Sequence, residues 1–470
     1  MDRTVEGAYL MKNFEQYKRI VRFTSVISLI FCEMVIYWAV WLKHYNIEME
    51  IPYNRTGNWM IVAVYGLLLL IFCKMYGGFK IGYLKTFNII YSHFLTTISA
   101  NALIYLQITL LIKHFTSILP LVFMTTVQLA ITVPWGVVFT RLYRLLYPAR
   151  KTLLVYGERS VDAFVGKANT RNDRFIISKK VDYRKGFEAI ISLTKDCEAV
   201  ILCDLPSEVR NKILKYCYSQ SIRVYVTPKL SDIIIRSAEE SHLIDSPLLL
   251  SRNNGFTFEQ RVCKRTVDII LTLILLILFS PIMILTAIAI KVYDGGPIFF
   301  LQERYTKNEK KFMIYKFRSM KMNSDSIKYV PTMDDDPRVT PVGKVIRQLR
   351  IDEMPQFLNI LRGEMSLIGP RAESVKLTDA YVKDIPEFKY RLKVKSGLTG
   401  YAQVHGKYNT TPYDKLKLDL MYIQNYSWLM DIEIIFLTVK ILFMKDSTEG
   451  FTEEQCATLD IPEEEKNGTE

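Results

Sequence analysis

Apolar residues gather in long runs at the start of the chain and once more past its middle. Four runs come first, at roughly residues 20–41, 60–79, 87–112 and 118–139. Each is about as long as a helix needs to be to cross the ~30 Å hydrocarbon core of a bilayer. Buried helices of a water-soluble core are the competing reading, but four successive runs of this length are hard to bury in such a protein. Over residues 150–250 the pattern changes. "KTLLVYG" from Lys151 and "EAVILCDLP" from Glu198 are short apolar runs ended by turn residues, with a helical stretch from Ser207 and a further strand, "IRVYV", at Ile222. Strands alternating with helices predict a small doubly wound α/β module. Residues 266–292, "TVDIILTLILLILFSPIMILTAIAIKV", are again apolar, and a mixed, charged region follows to about Ser427. Residues 428–444 read as a short interfacial helix led by Trp428. The acidic tail over 446–470 reads as disordered.

The basic residues orient these runs. The N-terminal segment carries Arg3, Lys12, Lys18, Arg19 and Arg22. Lys74, Lys80 and Lys85 attend the loop after the second, and Arg141, Arg144, Arg150 and Lys151 follow the fourth. The other two loops hold only Lys43 and Arg55, and Lys113. The positive-inside rule therefore puts both ends of the four-helix bundle in the cytoplasm. The fifth run has basic flanks on both sides, Lys264 and Arg265 before it, and Lys291 at its end with Arg304, Lys307, Lys310 and Lys311 beyond. Both ends belong on the same side. Pro281 removes a backbone donor near the middle, which predicts a sharp kink at Ser280 and Pro281. A re-entrant helix over 266–292, broken at Ser280 and Pro281, satisfies both observations better than a kinked full span.

Composition agrees with a membrane protein: 50% of the 470 residues are hydrophobic, and the mean hydropathy is +0.11. The net charge of +13 points to membrane lipids with anionic head groups and to phosphorylated substrates. No nucleic acid is expected, since that role needs a basic aromatic surface without a membrane anchor. The cysteines (Cys32, Cys73, Cys197, Cys203, Cys217, Cys263, Cys456) are scattered without a CxxC, so neither a zinc site nor a disulfide framework is expected. No secretory signal is legible, because the first apolar run is long and lacks a small-residue cleavage site. In the α/β module, Arg159 and Asp162 stand where a GxGxxG turn after Gly157 needs its other glycines. Their side chains would hold a pyrophosphate off the helix. A spacer, dimerisation or regulatory role fits that module better than dinucleotide binding.

The candidate chemistry lies in "IRQLRIDEMPQFLNILRGEMSLIGPRAE", from Ile346. Asp352 and Glu353 are adjacent, Pro355 follows, and Arg347, Arg350 and Arg371 flank them. "DEMPQFLNILRG" reads as a helix starting at the two acids and stopping near Gly363. By composition alone, the acids could be a helix cap paired with Arg347 and Arg350. Lys311, Lys316, Arg318 and Arg371 supply more positive charge than two acids need, which implies a further polyanion. The region follows the re-entrant helix, so it sits at the membrane surface. "SLIGPR" and "KSGLTGYAQ" are loops suited to close backbone approach to a ligand. A carboxylate among arginines beside a membrane suits phosphoryl transfer: an Asp can form an acyl phosphate, with arginines and a divalent ion neutralising charge. Mg²⁺ fits, since one carboxylate plus substrate oxygens is a usual mode for it.

"GGPIFFLQER" at Gly295, "YKFRSM" at Tyr315, "DPRVTPVGKVIR" at Asp336, "DEMPQFLNILRGEMSLIGPR" at Asp352, "GLTGYAQVHG" at Gly397 and "LDLMYIQNYS" at Leu418 occur in that order. Together they resemble the bacterial sugar transferases, the polyprenyl-phosphate hexose-1-phosphate transferases that start exopolysaccharide or O-antigen repeat units. The layout resembles the large polytopic members. It implies a four-span transmembrane domain (1–147), a Rossmann-like α/β module (148–250), a mixed, mostly helical catalytic domain with the re-entrant helix (258–445) and the acidic tail (446–470).

The resemblance implies that Asp352 attacks the sugar-bearing phosphate of a UDP-sugar, releases UMP and passes the phosphosugar to undecaprenyl phosphate. Glu353 is the partner acid, and Mg²⁺ would bridge Asp352 and phosphate. Arg347 and Arg371 match phosphate-contacting arginines, and Lys316 and Arg318 sit in the KFR motif. A Ser-Pro break in the re-entrant helix, a homodimer and a bacterial cytoplasmic membrane location, with the catalytic domain on the cytoplasmic side, are also implied. Ser396 and Ala372 stand where the family more often has Pro, and Tyr305 and Thr306 where it has Val-Gly; these touch loop shape rather than charged groups. Two other readings are a UDP-releasing glycosyltransferase using the acids at 334–336, and an inactive membrane scaffold. His405, in a Gly-flanked loop, reads as structural or substrate-adjacent.

Overall fold

A computed structural model describes residues 15–157, 161–251, 255–321, 338–406 and 410–442. The acids at 334–336, Arg159, Cys456 and the acidic tail lie outside the described residues. The chain divides into two compact units, Met1–Pro228 and Lys229–Glu470.

The first unit opens with four long helices: α1 (Lys18–Val40), continued by a π-helical turn over Trp41–Tyr45, α2 (Arg55–Met75), α3 (Thr86–Ile112) and α4 (Leu119–Leu146). Each packs on the next, and α4 closes on α1. Their polarity is arranged inside out. Phe31, Leu106, Leu110 and Phe123 are exposed on the outside. Inside, the Tyr65 hydroxyl donates to Asn101 Oδ1 (2.8 Å), the Asn101 amide donates to Gln128 Oε1 (2.9 Å), and the Thr97 hydroxyl donates to Glu33 Oε1 (3.0 Å). Interhelical hydrogen bonds within and apolar side chains without suit a hydrocarbon solvent.

After α4 come β1 (Arg150–Tyr156), α5 (Asp162–Asn169), β2 (Phe175–Asp182), α6 (Phe187–Thr194), β3 (Ala199–Cys203), α7 (Ser207–Ser219) and β4 (Arg223–Val226). The strands pair in parallel, in the order β2-β1-β3-β4. Leu153, Val155, Val200 and Leu202 pack on one face with Ile190 and Ile213, and Leu154 and Ile201 pack on the other with Val165. Burial on both faces is why β1 and β3 read as continuous apolar runs rather than alternating ones.

The second unit begins earlier than residue 258. α8 (Leu230–Arg236) buries Ile233 in the same core as Phe357, Leu416 and Leu420, and the Ser237 hydroxyl donates to Gln424 (3.0 Å). An antiparallel hairpin, β5 (Glu239–Leu243) with β6 (Ser246–Leu250), also belongs here. The expected module boundary at 250 therefore falls inside the second unit, because α8 buries Ile233 in that unit's own core.

Then comes α9 (Phe258–Asp294), opened by a Thr257–Gln260 capping box and closed by Gly295 at φ +71°. Helical structure runs through Ser280 and Pro281 without interruption, so the expected break does not open the helix. Both its ends are fastened to the same unit. At the start, Lys264 donates to Asp431 (2.7 Å), and Arg265 donates to the carbonyls of Ile360 (2.6 Å) and Leu361 (2.7 Å). At the far end, Ile290 packs with Phe317 and Ile346, and Asp294 pairs with Arg318.

The remaining elements are the hairpin β7 (Phe299–Tyr305) and β8 (Lys311–Phe317), α10 (Pro341–Gln348), a 3₁₀ turn (Ile351–Glu353), α11 (Gln356–Arg362), β9 (Ser366–Ile368), α12 (Val375–Asp384), β10 (Gly397–Thr399), α13 (Tyr401–His405), α14 (Pro412–Gln424) and α15 (Trp428–Leu442). Among the described residues, five helices, α1 with its flanking turns, α2, α3, α4 and α9, are long and apolar enough to cross a membrane. That is the make-up of an integral membrane protein.

Candidate active site

The two acids do not cap a helix. α10 ends at Gln348, and Arg350 takes a left-handed conformation (φ +58°, ψ +20°) that turns the chain into the 3₁₀ turn carrying Asp352 and Glu353. A non-glycine residue there is uncommon, so the surrounding structure must hold it in place. α11 starts only after Pro355 and ends, as expected, at Gly363, which is at φ +81°. The acids fall in a separate turn because residue 350 changes direction, which a helical pattern does not record.

Glu353 is clamped. Its Oε1 accepts from Lys316 Nζ at 3.1 Å and from the Arg371 guanidinium at 2.8 Å. Burial alone would raise its pKa, but Arg371, Lys316 and Arg350 outweigh it and hold the carboxyl far below the usual carboxylate range. Asp352 differs. Among the described residues, no hydrogen bond or ion pair holds its carboxylate. Burial and the neighbouring Glu353 charge push its pKa up, against the opposing pull of Lys316, Arg347 and Arg350. One acid is thus neutralised by partners, and the other stands in a positive field without a fixed partner.

The cations divide in a way the sequence does not show. Lys316 and Arg371 converge on Glu353. Arg347, in the last turn of α10, acts on Asp352 through its field. Arg318 leaves the group: it is buried, pairs with Asp294 and fills the space over Gly296, where a Cβ would come within 2.2 Å of its guanidinium. It fastens the end of α9 to the catalytic layer. The Asp294 pair gives Arg318 a structural partner apart from the two acids.

The glycine loops also serve another purpose. A Cβ at Gly397 would come within 2.1 Å of the Gly369 nitrogen, and one at Gly400 within 2.0 Å of the Gly369 carbonyl. The close approach is between the two loops themselves, where β9 pairs in parallel with β10 and Arg371 bridges to Gly397. This pairing sets where Arg371 points. His405 closes the short α13, with its ring 4.2 Å from that of Tyr401.

Several positioning residues were not legible in the sequence. Asn359, fully buried, accepts from the Tyr315 amide (3.0 Å) and donates to the Met313 carbonyl (2.8 Å) and Glu364 (2.7 Å). It splices α11 onto the open edge of β8 and so places Lys316. A lone Asn between buried Phe357 and Ile360 was the available signal. Arg391 donates to the Arg371 carbonyl (2.9 Å) and pairs with Asp419 (2.8 Å), while Lys415 pairs with Glu373 (3.0 Å). Lys415, Arg391 and Arg371 hold Glu373 down to about 2 against its burial. Nothing in the local sequence links residues 371, 391 and 419.

Among the described residues, no three His, Cys, Asp or Glu side chains come together as a metal cluster. Asp352 can serve as the single protein carboxylate of a Mg²⁺ ion completed by substrate oxygens. Glu353 fits less well, since one of its oxygens already serves two cations.

The bacterial sugar transferase family model matches residues 259–445. A UDP-N-acetylgalactosamine-undecaprenyl-phosphate N-acetylgalactosaminephosphotransferase of Aeromonas hydrophila is 40% identical over 235 residues, 49% of this chain and 55% of that protein. A UDP-glucose:undecaprenyl-phosphate glucose-1-phosphate transferase of Caulobacter vibrioides is 38% identical over 189 residues, 39% of this chain and 71% of that protein. An exopolysaccharide production protein of Rhizobium leguminosarum is 37% identical over 187 residues, 38% of this chain and 94% of that protein. The chain thus spans about half the length of the Aeromonas relative and nearly all of the Rhizobium one, and the residues matched by the family model include the carboxylate turn with Lys316, Arg347 and Arg371. On that match, the chain belongs to the bacterial sugar transferase family.

Proposed function

We propose that this protein is a phosphoglycosyl transferase. It moves a sugar-1-phosphate from a UDP-sugar to undecaprenyl phosphate through an aspartyl-phosphosugar intermediate and releases UMP, as the first step of exopolysaccharide, capsule or O-antigen synthesis. The observation that carries this reading is the division of labour in the carboxylate pair: Glu353 is held by Lys316 and Arg371, while Asp352 is left open. An open carboxylate in a positive field is suited to attack phosphorus.

The Asp352 carboxylate oxygen bonds to the sugar-bearing phosphorus, and the bond from that phosphorus to the UMP oxygen breaks. An oxygen of undecaprenyl phosphate then attacks the same phosphorus, the acyl-phosphate bond breaks, and Asp352 returns as carboxylate. Arg347 offsets charge on the transferring group. Glu353 keeps Lys316 and Arg371 in place. A Mg²⁺ ion on Asp352 would neutralise phosphate charge. The cleft beside Glu353 and Arg371 holds only about 10 Å³, room for about one water, which favours the Asp352 side for the donor.

The membrane arrangement supports an acceptor with a lipid tail. A straight helix of 37 residues spans about 55 Å. Yet both ends of α9 are anchored to one unit, and Ile277, Leu278, Ile284 and Leu285 around its middle are exposed. A helix that enters one leaflet and returns accounts for both, and α1–α4 form the transmembrane bundle. The basic flanks support a catalytic domain on the cytoplasmic side of the bacterial inner membrane.

The test supplies purified protein with Mg²⁺, undecaprenyl phosphate and a panel of UDP-sugars, and identifies the released nucleotide. UMP release that depends on Asp352 is expected, and the donor that supports it names the sugar. UDP release would overturn the mechanism in favour of glycosyl transfer.

A further inference from the structure

The first unit contains a second basic cavity, of about 380 Å³, between the ends of α1 and α4, the loop after α2 and the starts of β1, β2 and β4. That is a common size for a ligand site. It does not lie where an open parallel sheet normally binds ligands, outside the carboxyl ends of the strands. Arg150, Phe175 and Arg223 are the first residues of their strands, so the cavity is at the amino-terminal edge. At the carboxyl edge, Gly157 approaches the Asp204 carbonyl so closely that a Cβ would come within 2.0 Å of it.

The walls carry more positive charge than their acids neutralise. Glu15 is held by Arg223 (2.9 Å), Lys18 (3.2 Å) and Arg150 together. Asp173 is held by Arg171 (2.9 Å) and faces Arg144 (4.0 Å). Among the described residues, Arg174 has no carboxylate partner and lies 4.7 Å from the Tyr83 ring and 5.0 Å from the Phe175 ring. Burial and the Arg223 charge lower the Arg150 pKa. Tyr83, Tyr143 and Tyr147 line the side formed by the ends of the apolar helices, the level at which such rings meet lipid head groups.

We infer that this cavity binds a phosphate group, with Arg150, Arg174 and Arg223 as its ligands and the Glu15 carboxylate as a built-in competitor. Arginine forks and a phosphate match in both charge and geometry. The phosphate can arrive on an anionic lipid or free in solution, and the site is built from residues of the first unit alone.

The test uses the full chain in detergent. Binding of phosphatidylglycerol, against phosphatidylcholine, is titrated by native mass spectrometry, and inorganic phosphate is titrated by thermal shift. Saturable binding of phosphatidylglycerol alone assigns a lipid head group, and stabilisation by inorganic phosphate alone assigns a soluble anion. R174Q and R223Q should each weaken the productive probe about tenfold, the loss of one charge-assisted contact. E15Q should tighten it, which a merely structural role for the arginines would not do. K212Q, on exposed α7, should change nothing. Absence of saturable binding of either probe to the wild type would overturn the inference. So would unchanged affinity in both arginine variants, or weakened binding in E15Q.

Discussion

Arg371 donates to Glu353 at 2.8 Å, and the same arginine offers its main-chain carbonyl to Arg391 at 2.9 Å. The side chain that orders the carboxylate turn is thus itself held from behind by a buried ion-pair network. Asp352, one residue from Glu353, is left out of that network.

Replacing Asp352 by Asn should lower UMP release by at least about 10³-fold, as for loss of a nucleophile, with the protein still folded in membranes. Glu353→Gln should also lose activity, but through the release of Lys316 and Arg371. A trapped phosphosugar adduct, sought by intact-protein mass spectrometry, should form in Glu353→Gln if at all, and never in Asp352→Asn. An adduct on Asp352→Asn would remove the nucleophile assignment.

The acid limb of the pH–rate profile should lie above that of an ordinary aspartate, because burial and Glu353 raise the Asp352 pKa and only its ionised form attacks. Lys316 opposes that rise, so Lys316→Met should move the limb to higher pH. Arg347→Gln should do the same. A limb that stays in place in both variants would show that another group governs it.

Glu373 carries a stability prediction of defined sign. Its folded-state pKa is about 2 against an ordinary 4.5, so its contribution is present above about pH 4.5 and is lost as pH falls toward 2. The shift corresponds to about 3 kcal/mol at neutral pH. Glu373→Gln should be less stable by about that amount at pH 7, and the gap should close on acidification. Chemical denaturation at the two pH values measures it.

Arg318 separates an anchoring role from a substrate role. If it fastens α9 through Asp294, then Arg318→Gln and Asp294→Asn should each reduce stability. Together they should cost less than the sum, because the pair is coupled. KM for the UDP-sugar should stay near wild type in both. Additive losses, or a KM that rises only in the arginine variant, would return Arg318 to the substrate.

Single cysteines placed at Gln260 and Tyr293, near the two ends of α9, should react with an impermeant reagent from the same side of the membrane. Labelling from opposite sides would make α9 a full span.

The sequence was most informative where one chemical property repeats along a segment. Apolar runs marked all five long helices, because a helix exposed to lipid needs an unbroken apolar surface. Buried parallel strands marked the α/β sheet for a similar reason. The ordered motifs located the carboxylate turn and most of its cations. The compact second unit begins at Lys229, before the catalytic start at 258 read from the sequence, because α8 docks through Ile233 on residues near 357 and 416.

By itself, then, the sequence determined the apolar architecture, the excess of positive charge and the adjacency of Asp352 to Glu353, all properties of local composition and covalent order. The tertiary structure alone decided which acid is clamped and which stays open, that Arg318 belongs to Asp294, and that Asn359 fastens α11 to β8. Ion pairs and buried hydrogen bonds act over about 3 Å, and segments far apart in the chain reach that distance only when the core packs.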